Sequence, residues 1–314
     1  MCTASEVALW TKGAVHGAQV EVRGVFTDTR KARPGALFVA LAGEQFDGHA
    51  FVAQAKAAGA SAALVTRVQP VEMTQVVVAD TQIALGDLAS AIRAQRRARV
   101  AGITGSNGKT TVKTLTASIL AQHGTTHVNP GNLNNEIGLP LALLDLPEDA
   151  EFAVFEMGAG KPGDIAYLAA IARPEVALVN NIAPAHLERM GSLAGVAQTK
   201  GAIYSALPPH GVAIVNADDA FAAEFTETAA PRRVLRFGLE QRADVYAEIH
   251  ALAERSHFTL FTPAGSTDVV LPLAGRHNVL NALAASAIAL AFEVPLAQIQ
   301  RGLQGVQPVP GRAV

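Results

Sequence analysis

The sequence predicts an α/β fold in two parts. A small N-terminal α/β domain, residues 1–82, precedes a P-loop-type domain, residues 83–314, with a mostly parallel sheet and a small antiparallel addition. Three observations predict this. Apolar, valine-rich runs alternate with helical stretches along most of the chain, the pattern of right-handed crossovers in a parallel sheet. A glycine-rich stretch, "GITGSNGKTT", lies between one such run and a helix. Beyond about Arg232 the alternation stops and strand-like runs follow one another directly.

In order, "GALFVAL" (35–41) reads as a strand and "AFVAQAKAAGA" (50–60) as a helix with a glycine near its end. "SAALVT" and "TQVVVAD" are short β-branched runs, hence strands. A helix is expected over 81–99, leading into the second domain, then a strand over 99–104, the glycine loop, and a helix over 109–122. Strand "EFAVFEM", helix "GDIAYLAAIA", strand "EVALVNNI", helix "SLAGVAQTKGAIYSAL" and strand "GVAIVNAD" continue the alternation. "RRVLRFG", "DVYAEIH", "HFTLFT" and "DVVLPL" are expected to form the antiparallel addition, and helices over 278–292 and 296–303 close the pattern. The terminal "QPVPGRAV" reads as a linker, so a further domain is expected after Val314.

The bulk numbers exclude several classes. Half of the 314 residues are hydrophobic and 17% charged, enough for a sizeable core and unlike a disordered chain. A formal net charge of −2 gives no general attraction to nucleic acid or anionic membrane, and "RAQRRAR" (93–99) reads as a solvated helix end. The single cysteine, Cys2, permits no internal disulfide and fits a cytoplasmic protein. "MCTASEVALW" lacks the features of a signal peptide, and no apolar run approaches the ~20 residues that span a bilayer. A monomer is expected.

The glycine stretch departs from the usual phosphate-loop pattern, which wants glycine where Ile103 stands. The physics survives, because Gly105 and Gly108 can turn backbone N–H groups inward and the next helix points its positive end at the same place. Ser106 and Asn107 complete the turn, Lys109 is spaced to reach β- and γ-phosphates, and Thr110 is spaced to ligate Mg²⁺, with Thr111 next to it. A plain strand-to-helix turn is the competing reading. Glu156 ends a strand before "MGAG" and so reaches the edge where parallel sheets bind ligands; it reads as a metal carboxylate or as an ordinary exposed glutamate. His186 and Glu188 emerge at the same edge, and on spacing alone a lone histidine is as well read as structural. On composition Lys200 is a surface lysine.

Together these blocks resemble the ATP-dependent Mur ligases of peptidoglycan synthesis. Their loop reads T-G-[ST]-[NS]-G-K-[ST], and residues 104–110 fit it. "FTDTRKARPGALFVALAGEQFDGHAF", "NPGNLNNEIGLP", "FEMGAG", "VNNIAPAHLERMGSLAGVAQTKG" and "LAGRHNVLNALAA" are similar to family blocks in the same order, over essentially the whole chain. The resemblance implies Glu156, His186 and Thr110 as magnesium ligands, with Lys200 carrying a carbamate that joins them. It implies adenine contacts from Asn278 and Asn281 with His277 beside them, a ribose contact from Arg312, and Asn134 and Asn135 on the adenine and phosphate side. In the N-terminal domain it implies uridine diphosphate contacts from Thr27, Asp28, Thr29 and Arg30, with Gly43, Asp47, Gly48 and His49 in the neighbouring loop. ATP and Mg²⁺ are the implied cofactors.

The implied substrates are UDP-N-acetylmuramoyl-tripeptide and D-alanyl-D-alanine, joined through an acyl phosphate. The family also has a C-terminal domain that closes over ATP, so these 314 residues alone are expected to bind nucleotide with little ligase turnover. Competing readings are another Mur step, folylpolyglutamate synthase, an unrelated P-loop kinase or GTPase, and a non-catalytic nucleotide-binding scaffold.

Overall fold

The structure is a computed structural model and describes residues 2–43, 46–184 and 190–307. His186, Glu188 and Arg312 lie outside the described residues. The chain divides into two compact units: residues 1–96 with 136–146, and residues 97–135 with 147–314.

The first unit is built on a five-stranded sheet in the order Ala14–His16, Thr74–Val77, Ala62–Val65, Leu37–Val39, Val25–Phe26. The first pair is antiparallel and the other three parallel. Leu37–Val39 and Ala62–Val65 are buried on both faces, which explains their unbroken apolar runs. One face is covered by helices Ala4–Thr11 and Thr81–Ala94, whose Val7, Leu85, Leu88 and Ile92 join Leu37, Leu64 and Val76 in one core. The other face packs Phe26, Phe38 and Val65 against Val52 and Ala55 of helix Val52–Ala57.

Helix Thr81–Ala94 thus belongs to the first unit, although the sequence places the division near 82. Asp80 caps it through the Gln82 and Ile83 N–H groups, and it ends before Arg99, which is already strand. Residues 136–146 were also not foreseen there. Their helix, Gly138–Leu144, adds Leu141 and Leu144 to the same core.

The second unit carries a six-stranded, wholly parallel sheet in the order Arg233–Phe237, Val212–Asn216, Val176–Val179, Arg99–Thr104, Phe152–Glu156, Thr126–Val128. Helices Lys109–Leu120 and Arg276–Ala291 share a core with Ala101, Ile103, Val154 and Ile214. Gly102 points the other way, where a side chain would meet Ile203, Met157 and Pro174. The antiparallel addition is three-stranded: Tyr246–Leu252, Ser256–Thr262, Gly265–Leu271.

Arg233–Phe237 corrects the expectation that it belongs to this addition. It pairs parallel with Val212–Asn216, because helix Ala222–Ala229, which the sequence reading passed over, supplies the crossover. Among the described residues no helix is long and apolar enough to cross a membrane.

Candidate functional site

Three parallel strands of the second unit end together. Arg99–Thr104 runs into the glycine loop, Phe152–Glu156 ends in the carboxylate, and Val176–Val179 runs into Asn180 and Asn181. Helix Lys109–Leu120 opens at Gly108 with no side chain capping it, so its first N–H groups and its positive end serve the loop.

Gly108 has φ +77°, and a Cβ there would lie 2.6 Å from both Asn180 Nδ2 and Asn281 Oδ1. The two asparagines bond one another beneath it, Asn180 Nδ2 donating to Asn281 Oδ1 at 3.0 Å. Asn180 also donates to the Asn107 carbonyl at 3.0 Å. Asn181 accepts from the Asn107 N–H on its side chain (2.9 Å) and from the Ser106 N–H on its backbone (2.9 Å). The Ser106 hydroxyl donates to the Ala183 carbonyl and accepts from its N–H. Ser106 and Asn107 therefore hold the loop to the neighbouring strand end. Lys109 Nζ closes the loop from the other side, donating to the carbonyls of Gly105 (2.8 Å) and Ser106 (3.3 Å).

Glu156 is 4% exposed. Its Oε2 accepts from the Thr110 hydroxyl at 3.0 Å and its Oε1 from the Asn134 amide at 2.9 Å. Lys113 Nζ lies 3.5 Å from Oε2. Asn129 clamps the backbone of Glu156 on both sides, accepting from its N–H (2.9 Å) and donating to its carbonyl (3.0 Å). The donors of Glu156 and Thr110 are hard oxygens, which suit a magnesium ion. Asn135 lies in the same unit, with Asn134 the member of the pair that reaches Glu156.

Lys200, on helix Leu193–Ser205, is 2% exposed rather than a surface residue. Burial, and then repulsion from Lys109, lowers its ammonium to about 8 from an ordinary 10.5. Tyr204, one turn on, ties this helix to the sheet: its hydroxyl donates to the Ile214 carbonyl and accepts from the Val179 N–H. On helix Arg276–Ala291, Asn281 joins the loop web and bonds Asn278 at 3.3 Å, whereas Asn278 itself donates to the Ala274 carbonyl and His277 is exposed.

In the first unit the eight predicted positions follow the C-terminal ends of two adjacent parallel strands, Val25–Phe26 and Leu37–Val39. Thr27 leads into a turn that Asp28 caps, accepting from the Arg30 N–H at 3.0 Å and pairing with its guanidinium at 2.7 Å. Those bonds from Arg30 bring Asp28 down to about 2. Thr29 opens the 3₁₀ turn Thr29–Lys31.

Asp47 caps the next turn, accepting from the His49 N–H at 3.0 Å. Arg67 and His49 hold its carboxyl well below the usual range. His49 is buried with both ring nitrogens used: Nδ1 meets Asp47 Oδ1 at 2.5 Å, and Nε2 accepts from the Thr66 N–H at 2.9 Å. Its contacts make it a support for the loop. Gly48 passes so close to its own chain that a Cβ would meet Leu41 O at 2.6 Å, and the Gly43 N–H closes the loop on the Phe46 carbonyl at 2.8 Å.

The comparisons with known proteins fit this geometry. The Mur ligase middle domain matches residues 103–289, and the Mur ligase family catalytic domain matches residues 21–105. The chain belongs to the Mur ligase family. Among curated Mur ligases, the UDP-N-acetylmuramoyl-tripeptide–D-alanyl-D-alanine ligase of Escherichia coli (strain K12) is 48% identical over 99% of this chain and 69% of that protein. The protein of the same description from Bacillus subtilis (strain 168) is 36% identical over 97% and 67%. Among solved Mur ligases, MurF from Acinetobacter baumannii superposes with a TM-score of 0.93 at 42% identity, over 98% of this chain and 69% of that one. MurF from Thermotoga maritima in complex with ADP gives 0.80 at 29% identity, over 93% and 67%.

The chain thus spans about two thirds of the length of the Mur ligases it matches. Two folylpolyglutamate synthases, at 18% and 21% identity and over 72% of the chain, share the fold alone.

Sequence reasoning missed Lys113, Asn129, Asn180 and Asn181 as parts of this site. Lys113 follows Lys109 by one helical turn, a spacing that could have flagged it. The Asn180–Asn181 pair stands at a strand end, the position that made Glu156 a candidate.

Proposed function

We propose that this protein is an ATP-dependent amide ligase of peptidoglycan precursor synthesis, joining D-alanyl-D-alanine to UDP-N-acetylmuramoyl-tripeptide. The observation that carries the reading is the Glu156 carboxylate, held by Thr110 and Asn134 beside the Gly105–Lys109 loop, in a chain 48% identical to a ligase of that description.

The tripeptide's terminal carboxylate is a poor acyl donor. One of its oxygens attacks the γ-phosphorus of ATP; the new O–P bond forms as the bond to the β-phosphate oxygen breaks, and ADP leaves. The amine of D-alanyl-D-alanine then attacks the acyl carbon. The tetrahedral intermediate expels inorganic phosphate and the amine gives up a proton. This chain contributes charge and placement. Lys109 and the N-terminus of its helix neutralise phosphate charge, Gly105 and Gly108 let the backbone approach, and family likeness assigns Asn278, Asn281, His277 and Asn135 to the adenine side and Arg312 to the ribose.

Glu156, Thr110 and His186 would hold Mg²⁺, which would polarise the γ-phosphate oxygens. Lys200 fits the carbamate role because carbamate forms from neutral amine. With its ammonium near 8, roughly a quarter is neutral at pH 7.5. Its nitrogen adds to the carbon of CO₂ and loses a proton, turning a buried cation into an anion. In the first unit, Thr27, Asp28, Thr29 and Arg30 with Gly43, Asp47 and Gly48 would take the uridine diphosphate, and His49 would fix their loop.

The test is ATP-dependent phosphate release by the full-length protein, with UDP-N-acetylmuramoyl-tripeptide and D-alanyl-D-alanine both required. Release that ignores either substrate rejects the reaction. Bicarbonate should stimulate turnover, and short carboxylic acids should restore Lys200→Ala; failure of both rejects the carbamate.

A further inference from the structure

We propose that Lys113 is a positioning residue for the ligase site, holding the Glu156 carboxylate and the Asn129–Gly131 turn as one unit ready for a divalent cation; the inference rests on the ATP and Mg²⁺ reading above. Lys109 and Lys113 stand one turn apart on the same helix and serve different partners. Lys109 Nζ donates to the loop carbonyls of Gly105 and Ser106, toward the phosphate position. Lys113 Nζ donates instead to the carbonyls of Asn129 at 2.8 Å and Gly131 at 3.2 Å, and lies 3.5 Å from Glu156 Oε2.

Lys113 is 5% exposed, and lysine is rarely buried without a counter-charge. The ammonium donates to two carbonyls and forms an ion pair with the carboxylate. The opposing face of the same joint is amide. Asn129, fully buried, grips the Glu156 backbone through both its N–H and its carbonyl. Backbone and carboxylate are therefore fixed from two sides, by a neutral clamp and by a charge.

The charge is what separates a positioning role from a structural one. Two turn carbonyls could be satisfied by any donor, whereas a buried carboxylate needs a cation to stay in place before the metal arrives. Lysine does this without competing as a ligand, since an ammonium has no lone pair to offer a metal.

Lys113→Gln keeps an amide donor and removes the charge; Lys113→Met removes both. Calorimetry of ADP binding, with Mg²⁺ and then with EDTA, reads the metal-dependent gain in affinity, and Mn²⁺ electron paramagnetic resonance reads the metal directly. Both variants should keep ADP affinity in EDTA to within about twofold, and should lose about tenfold or more of the metal-dependent gain. A wild-type gain retained by both variants overturns the proposal. So does an equal loss with and without metal, or loss of the fold in both variants, each of which makes Lys113 a structural residue. If the wild-type protein itself shows no metal-dependent gain, the assignment of Glu156 to the metal fails first, and that outcome is distinct from the others.

Discussion

The two candidate sites, one in each unit, use acids and amides differently. In the first, the acids shape the backbone: Asp28 and Asp47 each cap a 3₁₀ turn, and each carries an exposed arginine. In the second, amides shape the glycine loop and the end of the Glu156 strand, with Asp219 also holding the Ile182 N–H nearby. Asn129 fixes the end of the Glu156 strand, while Asn180 and Asn181 fix the glycine loop. Glu156, the one buried acid among the described residues of that unit, has side-chain donors on both oxygens and needs to hold no turn. A carboxylate spent on a cap has little capacity left for a ligand, whereas one relieved of that duty can be aimed. Recognition of a substrate at an open surface tolerates the first arrangement; phosphoryl transfer needs the second.

The sharpest way to break the comparison is Gly108→Ala. Alanine at φ +77° costs about 1–2 kcal/mol in left-handed strain, and crowding Asn180 and Asn281 adds about 1–3 kcal/mol. Denaturant unfolding should report a loss of about 2–5 kcal/mol, and ADP binding should weaken by about tenfold or more as the web beneath the loop parts. A variant with unchanged stability and affinity would show that the amides are not what shapes this loop.

Lys200 gives the next largest effect, and among the described residues of the first unit no lysine is buried. Its folded-state ammonium lies near 8, below the ordinary 10.5, so the folded state disfavours the charge. Below about pH 8 lysine is protonated both folded and unfolded, and the full cost is present. Between about 8 and 10.5 the unfolded state binds more protons, so stability rises with pH, and above that range both states are neutral. In bicarbonate-free buffer, Lys200→Met should be more stable than wild type by up to about 3 kcal/mol at pH 7, with the difference closing by pH 10.5. A difference that does not move with pH would remove the buried-cation account.

How far the sequence could be read follows the same division between what is local and what is not. The glycine loop, the helix after it and the Glu156 strand were legible because period, turn chemistry and strand ends are local signals. The meeting of Thr110 with Glu156 followed from the rule that parallel strands end at one edge. Arg233–Phe237 was misplaced because a strand does not state its partner, and its crossover helix, Ala222–Ala229, is short. Lys200 read as surface because a lone lysine carries no mark of burial. The spacing of Lys113 from Lys109 was a local hint, but what it and Asn129 hold lies 16 and 27 residues away, and only the fold closes those gaps.

The smallest effect belongs to the exposed pair of the first unit, and it sharpens the contrast from the other side. Arg30 reaches Asp28 twice, through its guanidinium and through its own N–H, and the guanidinium contributes more to bringing Asp28 from 3.8 to about 2. A depressed carboxyl contributes its stability above 3.8 and loses it as pH falls through about 2, a window far from neutrality. Arg30→Ala removes that contribution at pH 7 too, yet should move the melting temperature there very little, because the cap to the residue 30 N–H remains and an exposed ion pair contributes little. The Asp28 carboxyl, followed by NMR, should move back up toward 3.8 while staying below it. If Arg30 meets the uridine diphosphate as proposed, affinity for UDP-N-acetylmuramoyl-tripeptide should fall by about three- to tenfold with stability unchanged. Loss of stability with unchanged affinity would instead make the pair a fold element and place recognition elsewhere on this surface.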